Sequence, residues 1–305
     1  MAAMLRIEPV PRRRQAAALA LLAGPASPCG LVAALKALLT GPMAEQCLFW
    51  WARDRTGPRA AAVTVINPGR TAVVYHSPPN TPAEVAPLAR LLAELTDATL
   101  ERDVAFVQSL LPVDAADDAE ALLLAGYEYL TMLIYLRRPV EAGPPPPLPV
   151  PHLRWRTFQP GEERMLGELI ADTYVGSQDC PALLGRRRLE DVVEGHKASG
   201  TFRPECWFMA LLGDEPVGCV LINDSTSRPG ECEVVYLGVR PAWRRRGIGR
   251  AMVRRALAAA VELGRSAVGL AVDAANAPAM ELYRSEGFRE AGRREVYLKM
   301  APAKD

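Results

Sequence analysis

The hexapeptide Arg-Arg-Arg-Gly-Ile-Gly, Arg244 to Gly249, stands between a short apolar run and a long run rich in alanine and arginine. Those residue types at that spacing suit the binding of an anion. A helix that starts here leaves about four backbone N–H groups without partners, and its dipole places partial positive charge on them. Gly247 and Gly249 let the backbone approach a phosphate closely and take up conformations closed to other residues. Arg244, Arg245, Arg246 and Arg250 can add charge-assisted hydrogen bonds. No Gly-Lys-Ser/Thr follows, so this is not a Walker loop, and the spacing is not Gly-x-Gly-x-x-Gly. A solvated basic helix face and a nucleic-acid contact compete for the same residues. The formal net charge of the whole chain is only +1. That speaks against dedicated nucleic-acid binding and makes the arginine run a local device.

The elements around the loop can be read from periodicity. "ECEVVYLGV" is a strand rich in branched and aromatic residues, and it leads into the loop. "RRRGIGRAMVRRALAAAVELG" is a glycine loop running into a long helix that stops at Gly264. Before them come the strand "HLRWRTFQP", the helices "GEERMLGELIADTY" and "RRRLEDVVEGHKASG", and two strands joined at Gly213-Asp214. After them come the strand "SAVGLAVD", the helix "NAPAMELYRSEG" and the final strand "REVYLKM". The order is βααβββαβαβ.

The first half gives a fainter copy of that order. The strand "LRIEPV" is followed by two alanine- and leucine-rich helices, then "QCLFWWARD", "RAAAVTVIN" and "TAVVYHS" as three strands. The helix "TPAEVAPLARLLAELT", the strand "VAFVQSLL" and the helix "DAADDAEALLLAGYEYL" come next, and "TMLIYLRR" closes the copy. "AEALLLAGYEYL" and "AMELYRSEGFRE" both carry an apolar helix, a Gly-aromatic step and a strand, which implies an internal duplication. The first copy differs at the loop. "SPPNTPAEV" has no paired glycines, and Pro78, Pro79 and Pro82 remove backbone donors that a phosphate would need.

A length of 305 residues allows two domains, and 50% hydrophobic with 23% charged residues suits packed cores. Four prolines, Pro144 to Pro147, cannot continue a helix or a central strand. They predict a semi-rigid linker over 139–151 between domains at 1–138 and 152–303. Cys29, Cys47, Cys180, Cys206, Cys219 and Cys232 form no Cys-x-x-Cys pair, and with three histidines no metal site is expected. They read as small hydrophobes in a reducing cytosol. "RRRQAAALALLAGPAS" mimics an export signal, but a strand precedes it and it also suits a helix packed on a sheet. No run of about 18 apolar residues exists, so no membrane span is expected and the location is read as cytoplasmic.

"VRPAWRRRGIGRAMVRRAL" resembles the Arg/Gln-x-x-Gly-x-Gly/Ala signature of the GNAT superfamily of acyl-CoA-dependent N-acyltransferases. "LAVDAANAPAMELYRSEGF" resembles that family's second signature: a strand, an Asn, a helix with Leu-Tyr, then Gly-Phe. The resemblance covers His152 to Met300 in full and reaches the first half only as a fold. It implies two tandem GNAT-like α/β domains, each a mixed, mostly antiparallel sheet flanked by helices, the first of them degenerate.

In this sequence the family's pyrophosphate cradle corresponds to Arg244, Arg245, Arg246, Gly247, Ile248, Gly249, Arg250 and Ala251, chiefly through backbone amides. Leu237, Gly238 and Val239 would bond the pantetheine arm like an added strand. Asn276 would reach the cofactor, or simply cap its helix. Tyr283 would give a proton to the departing thiolate. Glu233 stands where some members carry a carboxylate base, with Tyr236 or an ordered water as alternatives. The implied reaction is direct transfer from acetyl-CoA to a primary amine of a small molecule. It needs no metal, no nucleic acid and no membrane, and no Cys/His pairing suggests a covalent intermediate. A non-catalytic acyl-CoA-binding or structural module is the alternative function. "SQDCPALLGRRRLEDVVEGHKASGTF" belongs to the region that usually builds the acceptor side and names no acceptor.

Overall fold

The structure is a computed structural model that describes residues 5–22, 42–140, 150–183 and 185–302. The second alanine-rich helix expected in the first half, Cys29 and Pro144 to Pro147 lie outside the described residues. The chain divides into two compact units. Unit 1 is Met1–Leu130 with Arg294–Asp305, and unit 2 is Thr131–Arg293.

Unit 1 runs antiparallel from β1 (Arg6–Pro9) through β2 (Cys47–Arg53) and β3 (Pro58–Asn67) to β4 (Thr71–His76). The next strand, β5 (Phe106–Leu111), lies parallel to β4. The described helices of this unit are α1 (Gln15–Leu22), α2 (Val85–Leu100) and α3 (Ala116–Leu124). α2 buries Val85, Leu88, Ala89, Leu91, Leu92 and Leu95, a stripe at helical spacing that packs over the sheet.

Unit 2 repeats the pattern. The strands β7 (Leu153–Thr157), β8 (Trp207–Leu212), β9 (Glu215–Asp224) and β10 (Cys232–Val239) are antiparallel in turn, and β11 (Ala267–Asp273) lies parallel to β10. Four helices serve this unit: α4 (Glu163–Tyr174), α5 (Leu189–Ala198), α6 (Ile248–Glu262) and α7 (Ala277–Ser285). α6 packs small and flexible residues, Met252, Ala256 and Ala260, into the core beside Val220, Ile222 and Val268. The approach is close: a Cβ at Gly218 would collide with the Gly238 carbonyl and the Met252 methyl.

The closing strands differ from expectation. β6 (Glu128–Pro139) contains "TMLIYLRR", yet it pairs antiparallel with β11 of unit 2, from Ala267 opposite Pro139 to Asp273 opposite Leu133. β12 (Arg289–Met300) contains "REVYLKM" and pairs with β5 of unit 1, from Glu295 opposite Leu111 to Met300 opposite Phe106. Each half of the sequence therefore supplies the last strand of the other unit. Both segments are apolar runs bordered by charged residues, so composition does not tell which sheet edge each one fills. Sequence order alone could not assign them.

At the end of β9, Asp224 is the acceptor for Arg265 at 2.7 and 2.8 Å and for Arg203 at 2.8 and 2.6 Å. Burial alone would raise its pKa, but the hydrogen bonds from Arg265 and Arg203 outweigh it and hold the carboxyl below its ordinary value. A depressed folded pKa adds stability that is complete above the unfolded value of about 4 and is lost as pH falls through the folded value. Acid titration followed by circular dichroism is expected to show this loss below about pH 4, and Asp224→Asn is expected to flatten it. An unchanged acid limb in the variant would assign the loss to other carboxylates. Among the described residues no helix is long and apolar enough to cross a membrane.

Candidate active site

The site of unit 2 arises where β10 parts from β11. β10 stays paired with β9 as far as Val239 opposite Gly218. It pairs with β11 only from Cys232 to Val234, opposite Val268 to Leu270. The register against β9 shifts between Val234 and Tyr236, a bulge that bends the strand. Beyond Val234, the edge of β10 that faced β11 has no strand beside it among the described residues. Such an edge offers backbone donors and acceptors to an extended ligand. Leu237, Gly238 and Val239 lie on it and line a cleft of about 660 Å³. Gly238 must be a glycine, because a Cβ there would meet Thr173 and the Tyr236 hydroxyl.

The glycine loop lies at the same cleft. Arg245 has φ 59° and Gly247 has φ 81°. Left-handed residues placed alternately turn successive amides toward one point and make an anion nest. Ala251 is the first amide here to donate back, to the Gly247 carbonyl at 3.0 Å. The amides of Arg245 to Arg250 find no acceptor among the described residues.

The arginine side chains have separate tasks. Arg244 donates to the carbonyls of Val239 at 3.1 Å, Thr173 at 2.9 Å, Val175 at 2.8 Å and Gly176 at 3.1 Å. Its guanidinium is a strut that ties the loop to the end of α4, rather than a free anion ligand. Arg246 lies over the Trp243 ring at 4.8 Å. Arg250 pairs with Glu286 at 3.0 Å and donates to Ser285 at 3.1 Å. Of the arginines at 244, 245, 246 and 250, only Arg245 keeps a guanidinium without a partner among the described residues. The groups left without partners are therefore the amides and the Arg245 guanidinium.

Arg244, Arg245, Gly247, Gly249, Arg250, Asn276 and Tyr283 line the cleft together with Leu237 to Val239. Arg246, Ile248 and Ala251 do not line it, and the last two are buried in the core. Asn276 caps α7 by accepting the Ala279 amide at 3.3 Å, and its side chain also bonds Asp179. Tyr283 is held edge-on against Phe288, with ring centroids 5.7 Å apart. Burial first, and then the charge of Asp179, raise its pKa. Tyr283 is therefore a protonated phenol near neutrality, able to donate.

Glu233 is placed apart from these groups. It does not line the cleft, and its carboxylate accepts from Ser225 at 2.6 Å. Tyr236 does line it, with its hydroxyl 2.5 Å from Thr173 Oγ1. Burial, first of all, holds that phenol in its protonated form. Cys180 follows Asp179, and burial pushes its thiol up to about 12, so it carries no thiolate at neutral pH. Among the described residues no cluster of three or more His, Cys, Asp or Glu could hold a metal ion.

Asp179 is the group that the sequence did not single out. It lies in the connection between α4 and α5 and is the one carboxylate on the cleft wall among the described residues. Its amide donates to Ser177 Oγ at 3.1 Å, and its Oδ1 accepts the Asp273 amide at 3.3 Å. Buried Asp273 holds this segment in turn. It accepts from the Cys180 amide at 3.0 Å, the Ala275 amide at 2.8 Å and Thr131 Oγ1 at 2.7 Å. In the sequence the only signal is an Asp inside the polar stretch "SQDCP".

Residues 169–288 match the Acetyltransferase (GNAT) family. The chain is 31% identical over 181 residues to a mycothiol acetyltransferase of Thermomonospora curvata, a match covering 57% of each chain. The chain spans about half the length of the curated relatives it matches first. A GCN5-related N-acetyltransferase from Sphaerobacter thermophilus superposes with a TM-score of 0.68 at 20% identity, over 99% of this chain and 97% of that one. A tandem GNAT protein from the clavulanic acid biosynthesis pathway superposes with a TM-score of 0.55 at 15% identity, over 99% and 100%. These structures share the fold, and the family match spans the splayed strands, the glycine loop and Tyr283. Residues 169–288 therefore carry an acetyltransferase domain of the GNAT family.

Proposed function

We propose that unit 2 is an acetyl-CoA-dependent N-acetyltransferase acting on the primary amine of a small molecule. The observation that carries this reading is the run of unpartnered amides from Arg245 to Arg250, of which Arg245, Gly247, Gly249 and Arg250 belong to residues lining a cleft whose other wall is a free strand edge. The amides and Arg245 would hold the diphosphate, and Leu237 to Val239 would hold the pantetheine arm by strand-like bonds. This leaves the thioester beside Tyr283. The amine attacks the thioester carbonyl, a C–N bond forms and the C–S bond breaks. Tyr283 gives its phenolic proton to the leaving sulfur and regains one from the nitrogen as the amide forms. Several relatives are named mycothiol acetyltransferase, which supports trying amines related to mycothiol first as acceptors. A cytoplasmic setting suits a chain whose described cysteines are all free.

Unit 1 fits a copy of the same domain that has lost the donor site. It keeps the parallel pair that parts early, with β4 and β5 matched only from Thr71 to Val73. At the end of β4, however, stands His76, buried against Asp118 at 3.5 Å, and the prolines at 78, 79 and 82 follow.

Calorimetry with acetyl-CoA and turnover with an amine panel test the reading. Wild type is expected to bind and turn over. Tyr283→Phe is expected to keep acetyl-CoA affinity within about threefold while its rate falls about 10²- to 10⁴-fold. Binding without turnover of any amine would favour the non-catalytic module instead.

A further inference from the structure

We infer that Asp179 binds the ammonium group of the acceptor and takes its proton, a role that rests on the acetyltransferase reading of this cleft. The nucleophile must be a neutral amine, whereas an alkyl ammonium with a pKa of about 10.4 is charged at neutral pH. The proton needs an acceptor inside the cleft. Glu233 does not line the cleft, and the carboxylate of Asp273 is filled by Thr131, Cys180 and Ala275. Tyr174, Tyr236 and Tyr283 are all held protonated, in each case by burial first. Asp179 is the remaining base on the wall among the described residues.

Its surroundings suit the task. A carboxylate has about four acceptor positions. The Asp273 amide and the Asn276 side chain take two of them and fix the orientation of the group. Tyr174 and Tyr236, packed edge-on at 5.6 Å, line the same cleft and offer aromatic surface to a cation. Burial, and then the Asp273 charge, raise the pKa of Asp179, with hydrogen bonds from Asp273 and Asn276 opposing the shift. That direction makes it a stronger base. The titratable groups around it are Tyr174 on α4, Cys180 beside it, Tyr236 on β10, Asp273 on β11 and Tyr283 on α7. In the step, one N–H bond of the ammonium breaks and an O–H bond forms on Asp179. The carboxyl then releases that proton to water through the open cleft, and the neutral amine proceeds as above.

The test compares Asp179→Asn with wild type on an amine that wild type acetylates, across pH. The variant keeps an oxygen to accept the Asp273 amide. Its acetyl-CoA affinity, measured by calorimetry, is expected to stay within about threefold of wild type, while kcat/KM near pH 7 falls about 10²- to 10⁴-fold. The deficit is expected to shrink to within about tenfold near pH 9.5, where more of the amine is neutral without help. Asp179→Glu is expected to recover part of the lost rate. A loss equal at every pH, or one that tracks weakened acetyl-CoA binding, would make Asp179 structural and overturn the role. A Glu233→Gln variant that alone shows the pH-dependent loss would also overturn it, by moving the proton to Glu233. If wild type binds acetyl-CoA but acetylates no amine, the acetyltransferase reading fails, and this role fails with it. That outcome is visible before any variant is made.

Discussion

Deleting Met1–Pro139 is expected to leave a chain that does not unfold cooperatively, although it contains the whole glycine loop and Tyr283. The deletion removes β6 from the unit 2 sheet, so every residue of β11 from Ala267 to Asp273 loses its antiparallel partner. Ile134 and Leu136, 4% and 2% exposed, leave the core that holds Ile248, Met252 and Tyr283. Emptying one such site costs about 2–5 kcal/mol, against a total of about 5–15 kcal/mol for a domain. The deletion also strips the Thr131 hydroxyl from Asp273 and the Arg137 guanidinium from Glu231 at 2.8 Å. A fragment of residues 128–293 keeps all of these, because unit 2 is contiguous from Thr131 to Arg293. It is expected to melt in a single transition. Should the deletion chain melt as sharply as that fragment, β6 would not be an obligatory part of unit 2.

The same strand marks the limit of what the sequence could tell. Local signals were legible because they are chemical. The helix after Gly247, the turn at Gly213, the strand "ECEVVYLGV" and the stop at Gly264 all fall where periodicity and glycine placed them. Strand partnership is not local. β6 and β12 are both apolar runs bordered by charge, and the exchange between units depends on sheet edges that no window of sequence contains. The site divides along the same line. The cleft brings together Leu237 to Val239, Gly247, Gly249, Asn276 and Tyr283, whose spacing within two short segments was readable. The use of Arg244 as a strut was not, since it depends on carbonyls at positions 173, 175 and 176, about seventy residues earlier in the chain. Asp179 was hidden for the same reason. Its place on the wall is set by β11 through Asp273.

Gly247→Pro is expected to abolish acetyl-CoA binding, and its comparison with two milder variants identifies what holds the anion. Proline fixes φ near −65°, whereas Gly247 sits at φ 81°, and the substitution also removes one of the unpartnered amides. An affinity loss of at least about 100-fold, or about 2.8 kcal/mol, follows if the nest carries the diphosphate. Gly247→Ala keeps the amide and meets the left-handed strain of about 1–2 kcal/mol, so a loss of roughly tenfold is expected. Arg245→Ala removes the one guanidinium of the run that is free among the described residues. One charge-assisted bond of about 1.5–3 kcal/mol predicts a loss of about 10- to 100-fold, shrinking at high salt because the side chain is exposed. Calorimetry at two ionic strengths, with thermal melting to confirm that each variant folds, gives the order. If Arg245→Ala costs more than Gly247→Pro, the anion is held by side-chain charge. The glycines would then serve only the turn into α6.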